Sequence, residues 1–474
     1  MSDASTGDRE SDSGRTEPVH VRPAGGPVIA SVAVPPSKSI ANRALVCAAL
    51  ADGESELIGL APGDDTSAMV ECLGALGIPI VVSPRRPERP VDDGTGAIPT
   101  GRDVDPPPGP SRSERLTALV LGSGGDLAPG PAELPARLAG TTSRFVTAVA
   151  ALGPGPYTID GGEPLRRRPM APLHDSLRAL GASVQPAGDW GHLPVTVSGP
   201  IGATDAIVMP GDVSSQYVTA LMLIAPLLPR GLRLGLSSDL VSRPYVEITR
   251  HVMAAFGVGG VEVTGRHVTV PRSHYEPVEY RVEPDASSAS YPLAAAAIVG
   301  GSVAVPGLGR SSLQGDARFV DIVEAMGCVV TVADHDTVVM RRSDAALRGV
   351  DVDMSDVSDL VPTVAVLATC ASSPTRIRGV GFIREKESDR LGDLADELTK
   401  VGAAVRVEDD GLTIEPVSDL HGAELDTHHD HRLAMAFGVL GLAIDDLVVN
   451  DPDVVSKSWP DYWTMLDSLP AATG

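Results

Sequence analysis

Six times along the chain a small polar or charged residue opens an alanine-rich apolar stretch of helical length, and glycine or proline then leads into a β-branched run. These stretches open near Ser37, Thr141, Ser214, Ser287, Asp359 and His431. The successive separations are 104, 73, 73, 72 and 72 residues. Inside the units, residues 261–270 and 329–340 alternate apolar and polar positions as half-buried strands do, whereas residues 320–326 and 391–401 carry apolar side chains at helical spacing. The pattern predicts a mixed α/β protein built from six repeats. Each repeat is long enough for a β-α-β-α-β-β unit, which cannot close a core by itself.

The first separation is longer than the others by about thirty residues, and residues 84–112 account for it. They contain eight prolines with arginine, aspartate and glycine and almost no apolar periodicity, so they read as an inserted surface loop. With that loop set aside, three units fall on either side of a midpoint near Asp285, where Val282-Glu283-Pro284 has the character of an extended crossover. A length of 474 residues is too much for one ordinary core, which agrees with two domains.

Apolar residues make up 43% of the chain and aromatics only 3%, so the cores must be built mainly from Ala, Val, Leu and Ile. No apolar stretch approaches the roughly 18 residues a membrane helix needs. The longest, residues 218–228, is stopped by Pro229 and Arg230. Residues 1–25 are rich in Ser, Asp, Glu, Gly and Arg, lack the apolar centre of a secretory signal and are too acidic for a transit peptide; a disordered tail is expected. Cys47, Cys72, Cys328 and Cys370 are far apart and form no C-x-x-C pair. They read as reduced core residues of a cytoplasmic protein rather than as disulfides or metal ligands.

The formal charge of −24 argues against nucleic acid and anionic membranes as partners. Against that background the basic residues gather in a few segments that open helices, an arrangement suited to collecting an anionic small molecule in one place. Ser37-Lys38-Ser39 with Arg43 puts two hydroxyls and two cations at a helix start, where backbone amides and the helix dipole favour phosphate or carboxylate. Gly140 with Thr141 and Thr142 repeats the device, the threonines being candidate caps. Arg166-Arg167-Arg168 follows a glycine turn and reads either as a solvated loop or, through Arg168, as a phosphate clamp. Asp212, Ser214, Ser215 and Gln216 offer short hydrogen-bonding groups for sugar-like hydroxyls, and Ser242, Arg243 and Tyr245 form a smaller group of that kind. Residues 384–390 are the most charged segment. They are either a salt-bridged surface or a cationic pocket around Glu387 as an acid/base group, and Asp430-His431-Arg432 and Lys457 add further cations.

In their order these segments, with residues 285–291, resemble the enolpyruvyl transferase family, in particular the branch whose acceptor is shikimate 3-phosphate. The resemblance covers residues 34–463 apart from the proline-rich insertion. It implies a two-domain α/β fold with three β-α-β-α-β-β units per domain around a pseudo-threefold axis. It also implies two crossovers, so residues 26–35 plus 284–474 would form one domain and residues 36–283 the other. The reaction implied is transfer of the enolpyruvyl group of phosphoenolpyruvate to the 5-hydroxyl of shikimate 3-phosphate through a tetrahedral intermediate, by a monomer with no cofactor or metal.

By the same resemblance Lys38, Ser39, Arg43, Ser214, Ser215, Gln216, Ser242, Asp359 and Lys386 would hold shikimate 3-phosphate. Lys38, Gly140, Arg168, Gln216, Arg390, Arg432 and Lys457 would hold phosphoenolpyruvate. Asp359 matches the base on the 5-hydroxyl and Glu387 the acid that protonates the methylene carbon. Two positions depart from the family pattern: Leu138 stands where Asn is common, and Phe382 where Asn or His is common. The sister branch that uses UDP-N-acetylglucosamine carries Lys-Asn in place of Lys38-Ser39 and a reactive loop cysteine, and this chain has no cysteine between Cys72 and Cys328. A paralogue that kept the fold only for binding is the remaining alternative.

Overall fold

The computed structural model describes residues 17–61, 63–84, 116–342 and 344–469. Among them the strands form six small sheets. Five have four strands, and each repeats one arrangement: a parallel pair, then two antiparallel pairings. One example runs Ala206–Met209, Leu232–Leu236, His267–Val270 and Glu262–Thr264. The sixth has three strands, with Glu424–Leu425 parallel to Val448–Val449 and Val19–His20 antiparallel to it. Six sheets of like topology answer the six sequence units, and the mixed α/β expectation holds.

Each predicted unit start falls at the opening of a helix: Lys38–Leu50, Gly140–Ala150, Ser215–Ile224, Ala286–Val299, the turn Ser358–Leu360 leading into Val361–Thr369, and His431–Gly441. These helices are buried on nearly every side. That explains their unpatterned Ala, Val and Leu content, because a helix enclosed all round needs no polar face. The first three pack on one another, as do the last three, and the sheets cover them. Buried apolar side chains accordingly separate into two clusters, one drawn from residues 40–282 and the other from residues 21–34 and 286–469.

The chain passes between the clusters twice, and the two passages are tied together. Pro36 bridges Pro284, Ser37 N donates to Glu283 O at 2.8 Å, and Asp285 N donates to Pro35 O at 2.8 Å. The expected tail needs correction. Residues 1–16 lie outside the described residues, but Val19–His20 pair with Val448–Val449 and Val21 is buried, so order begins well before residue 26. Polar composition averaged over the segment conceals two valines whose partners lie at the far end of the chain. The proline-rich insertion is also outside the described residues, except for Pro84, which pairs with Leu116 across an antiparallel edge. The flanks of the insertion are therefore adjacent. No helix among the described residues is long and apolar enough to cross a membrane.

Candidate active site

A cavity of about 500 Å³ opens between the two halves of the chain. On the side of residues 36–283, helix Lys38–Leu50 begins without a side-chain cap and turns its first residues toward the cavity. Lys38 Nζ pairs with Asp65 Oδ2 at 2.8 Å. Arg43, 2% exposed, donates to Thr249 Oγ1 at 2.8 Å and to Ser39 O at 2.6 Å. Burial lowers its pKa to about 10. Arg144 is buried as well and bonds Gly140 O at 3.1 Å, Ser143 Oγ at 3.1 Å and Pro169 O at 3.3 Å. Among the described residues neither arginine has a carboxylate partner. Their positive charge faces the cavity uncompensated, which makes an anion there strongly favourable.

The hydroxyl groups lie on the same side. Ser214 caps helix Ser215–Ile224 by accepting from Gln216 N at 3.3 Å, and Gln216 Nε2 reaches Thr141 Oγ1 at 3.2 Å. Ser242 opens helix Arg243–Ala255 with φ of 52°, left-handed and strained for a serine. Gly140 is needed for space: a Cβ there would lie 2.9 Å from Arg168 Nη1 and 3.0 Å from Arg144 Nη1. Thr141 and Thr142 do not act as the expected caps; Thr142 donates instead to Asp65 O at 3.0 Å. Of the three arginines after the glycine turn, Arg166 and Arg167 pair on the surface with Asp160 and Glu163, and Arg168 alone lines the cavity.

The opposite wall is organised around Arg390, only 1% exposed. Its Nε bonds Asp430 at 2.6 Å, its Nη1 bonds Asp359 at 2.9 Å, and its Nη2 bonds Glu387 at 2.7 Å. Arg432 adds a 2.7 Å bond to Asp359, and Lys457 a 2.9 Å bond to Glu387. Arg168 approaches Glu387 to 3.8 Å from across the cavity. Burial by itself would raise the pKa of Asp359, yet Arg432, Arg390 and Lys386 outweigh it and hold the carboxyl below the usual range. The same opposition acts on Glu387, where Lys457, Arg390 and Arg168 prevail. Lys386 is half-buried without a carboxylate partner among the described residues, and its Nζ lies 5.7 Å from the centre of the Phe382 ring. Burial lowers its pKa.

All the residues assigned to the substrates or to catalysis by the family resemblance line this cavity except Lys457, which reaches it through Glu387; Ser37, Thr142, Arg243 and Asp430 do not line it. In the charged segment, Arg384 pairs with Asp389 at 3.1 Å while Lys386, Glu387 and Arg390 turn inward, so both readings of residues 384–390 hold in part. Phe382 presents its ring where the family pattern has a polar group, and Leu138 is 46% exposed and does not line the cavity. Sequence reasoning gave no role to Asp65 or Arg144, and it counted His431 among the cations, whereas burial and the nearby charges of Lys38 and Lys457 push its pKa well down and keep the ring neutral. Asp65 opens helix Asp64–Ala75 and looks like ordinary helix-start acid, and Arg144 lies one turn inside a helix that seemed merely apolar.

The model of the EPSP synthase (3-phosphoshikimate 1-carboxyvinyltransferase) family matches residues 23–101 and 111–466. The 3-phosphoshikimate 1-carboxyvinyltransferase of Nostoc punctiforme is 38% identical over 440 residues, covering 92% of this chain and 96% of the relative. That of Methanosphaerula palustris is 40% identical over 443 residues, covering 93% and 97%. The solved EPSP synthase of Acinetobacter baumannii superposes with a TM-score of 0.76 at 22% identity, over 95% of this chain and 97% of that one, which shows the shared fold. With nearly its whole length matched by the family model and by relatives of such identity, the chain belongs to the EPSP synthase family.

Proposed function

We propose that the protein transfers the enolpyruvyl group of phosphoenolpyruvate to the 5-hydroxyl of shikimate 3-phosphate and releases phosphate. The observation that carries this reading is the pair of carboxylates on one buried guanidinium: Asp359 and Glu387 accept from adjacent nitrogens of Arg390 at 2.9 and 2.7 Å. Addition of an alcohol to an enol phosphate needs a base at the alcohol and a proton donor at the methylene carbon, held on separate groups, with cations bearing the phosphate and carboxylate charge. Asp359 takes the base role. Glu387 protonates the methylene carbon and then withdraws a proton as the tetrahedral adduct expels phosphate.

Glu387 rests among three cations that keep it ionised. Phosphate and carboxylate groups of phosphoenolpyruvate draw Arg168, Arg390 and Lys457 onto themselves, and the loosened hold lets Glu387 take up a proton. Lys38, Arg43, Lys386 and the hydroxyls of Ser39, Ser214, Ser215 and Ser242, with Gln216, hold shikimate 3-phosphate; Gly140 and Arg432 complete the phosphoenolpyruvate subsite. Residues 26–35 with 284–474 and residues 36–283 act as two domains closing on the substrates, a division supported by the two apolar clusters and the tied crossovers. Since one chain supplies every group, a monomer suffices. The cytoplasm is the proposed compartment, which suits four free thiols.

The test is phosphate release from phosphoenolpyruvate with shikimate 3-phosphate or UDP-N-acetylglucosamine as acceptor. Release with shikimate 3-phosphate alone is expected; release only with the nucleotide sugar, or with neither, overturns the proposal.

A further inference from the structure

Behind Asp359 stands another carboxyl group that the reaction as set out does not employ. Asp316, in the turn Gly315–Arg318, is buried. Its Oδ2 contacts Ser287 Oγ and lies 3.3 Å from the hydroxyl of Tyr245. Tyr245 comes from the other half of the chain, and the same hydroxyl lies 3.1 Å from Asp359 Oδ2. These are three oxygen-to-oxygen contacts, each requiring a hydrogen, whereas the two hydroxyls supply one apiece. With both carboxyls ionised, one contact would set lone pair against lone pair inside the protein. A third proton must sit on a carboxyl.

The surroundings say which one. Asp359 is held by Arg390 and Arg432, while among the described residues Asp316 has no ion-pair partner and its Oδ1 has no hydrogen-bond partner at all. A buried carboxylate so placed is costly and a neutral acid is not. We infer that Asp316 carries this proton and acts as a positioning residue, sharing it with Asp359 through the Tyr245 hydroxyl so that the two carboxyls titrate as one unit. The role rests on Asp359 being the base of the reaction proposed above. Burial, then the charge of Asp359, push Asp316 up to about 7, against Ser287 and Arg432 and with a further push from Asp285. Tyr245 is the titratable side chain in direct contact with it.

The consequence is a pH-dependent base. As Asp316 loses its proton, Tyr245 turns its hydrogen to Asp316, and Asp359 keeps an unoccupied lone pair beside a new negative charge, which makes it more basic. At saturating substrates kcat rises about tenfold between pH 6 and 8 on this limb, the change in ionised fraction of a group titrating near 7.

Infrared difference spectra of the full chain without substrates decide the protonation. A carboxylic-acid carbonyl band is expected at pH 6, fading toward pH 8, absent from Asp316→Asn and shifted in Tyr245→Phe, which keeps both carboxyls but removes the link. Asp316→Asn, unable to ionise, should also lose the tenfold limb of kcat. A band that survives Asp316→Asn, no band in the wild type at pH 6, a band unmoved by Tyr245→Phe, or superimposable pH profiles for Asp316→Asn and wild type would each overturn the inference. Failure of the function proposal is seen separately, as absence of phosphate release by the wild type, and leaves the infrared result to stand by itself.

Discussion

The two walls of the cavity hold their principal arginines in opposite ways. Arg43 and Arg144 are buried and bond only neutral oxygens, whereas Arg390, Arg432 and Lys457 each hold one or more carboxylates. Those two guanidinium groups are charged and waiting, so an anion binding to them gains without displacing a competitor, whereas Lys38 on the same wall must leave Asp65. Those three cations of the second wall are already neutralised, so an anion there must exchange partners with Asp359 and Glu387, and that exchange couples binding to the acidity of the carboxyls. One wall binds; the other converts binding into proton movement.

Substitution of the central arginine should divide the walls most clearly. Arg390→Met leaves the buried Asp430 without its ion-pair partner and takes one of their cations from Asp359 and Glu387, and should cost about 3–5 kcal/mol of unfolding free energy in urea titrations. Arg43→Met leaves only hydroxyls and carbonyls behind and should cost markedly less; equal losses would erase the distinction. Next in size is Glu387→Gln, expected to lower kcat by about 10²–10⁴-fold, whereas Arg43→Met should act chiefly on KM. Phosphate release with both substrates varied separates the two effects.

The pH dependence of stability sharpens the contrast further. Asp359 and Glu387 have folded pKa values below those of the unfolded chain, near 4, so their contribution is fully present above that range and is lost as pH falls through the depressed folded values. Urea midpoints should fall as pH drops below about 4, and Glu387→Gln should flatten that acid limb. Gly140→Ala is a smaller test on the first wall. The added methyl group displaces the ends of Arg144 and Arg168 and should raise KM for phosphoenolpyruvate about tenfold, near 1.4 kcal/mol, with Tm nearly unchanged. The least effect is expected from replacing residues 87–113 by a short turn. Pro84 and Leu116 are already paired, and each halving of a loop changes closure by only about 0.6 kcal/mol, so kcat and Tm should hold.

Much of this was legible in the chain. The six helix openings from Ser37 to His431 were visible because a buried helix must be apolar throughout, and its start must offer hydrogen-bonding groups for four free amides. The cluster of cations was visible because an acidic protein leaves few other places for them. Less visible was the orientation of charges within a run: Arg166, Arg167 and Arg168 are indistinguishable by type, and only the turn geometry sends the third inward. The strand at Val19–His20 was hidden because its partner lies at the other end of the chain.

The sequence by itself determined the repeat, the fold class and the kinds of group that meet at the site, since these follow from periodicity and from the local needs of helix ends. The tertiary structure alone decided which cations face carboxylates and which stand unpaired, and it alone joined Tyr245 to both Asp316 and Asp359. The physical reason is range. Helix and strand preferences act over a few residues, whereas the charge state of a buried group is set by whatever the fold brings within a few ångströms, however distant along the chain.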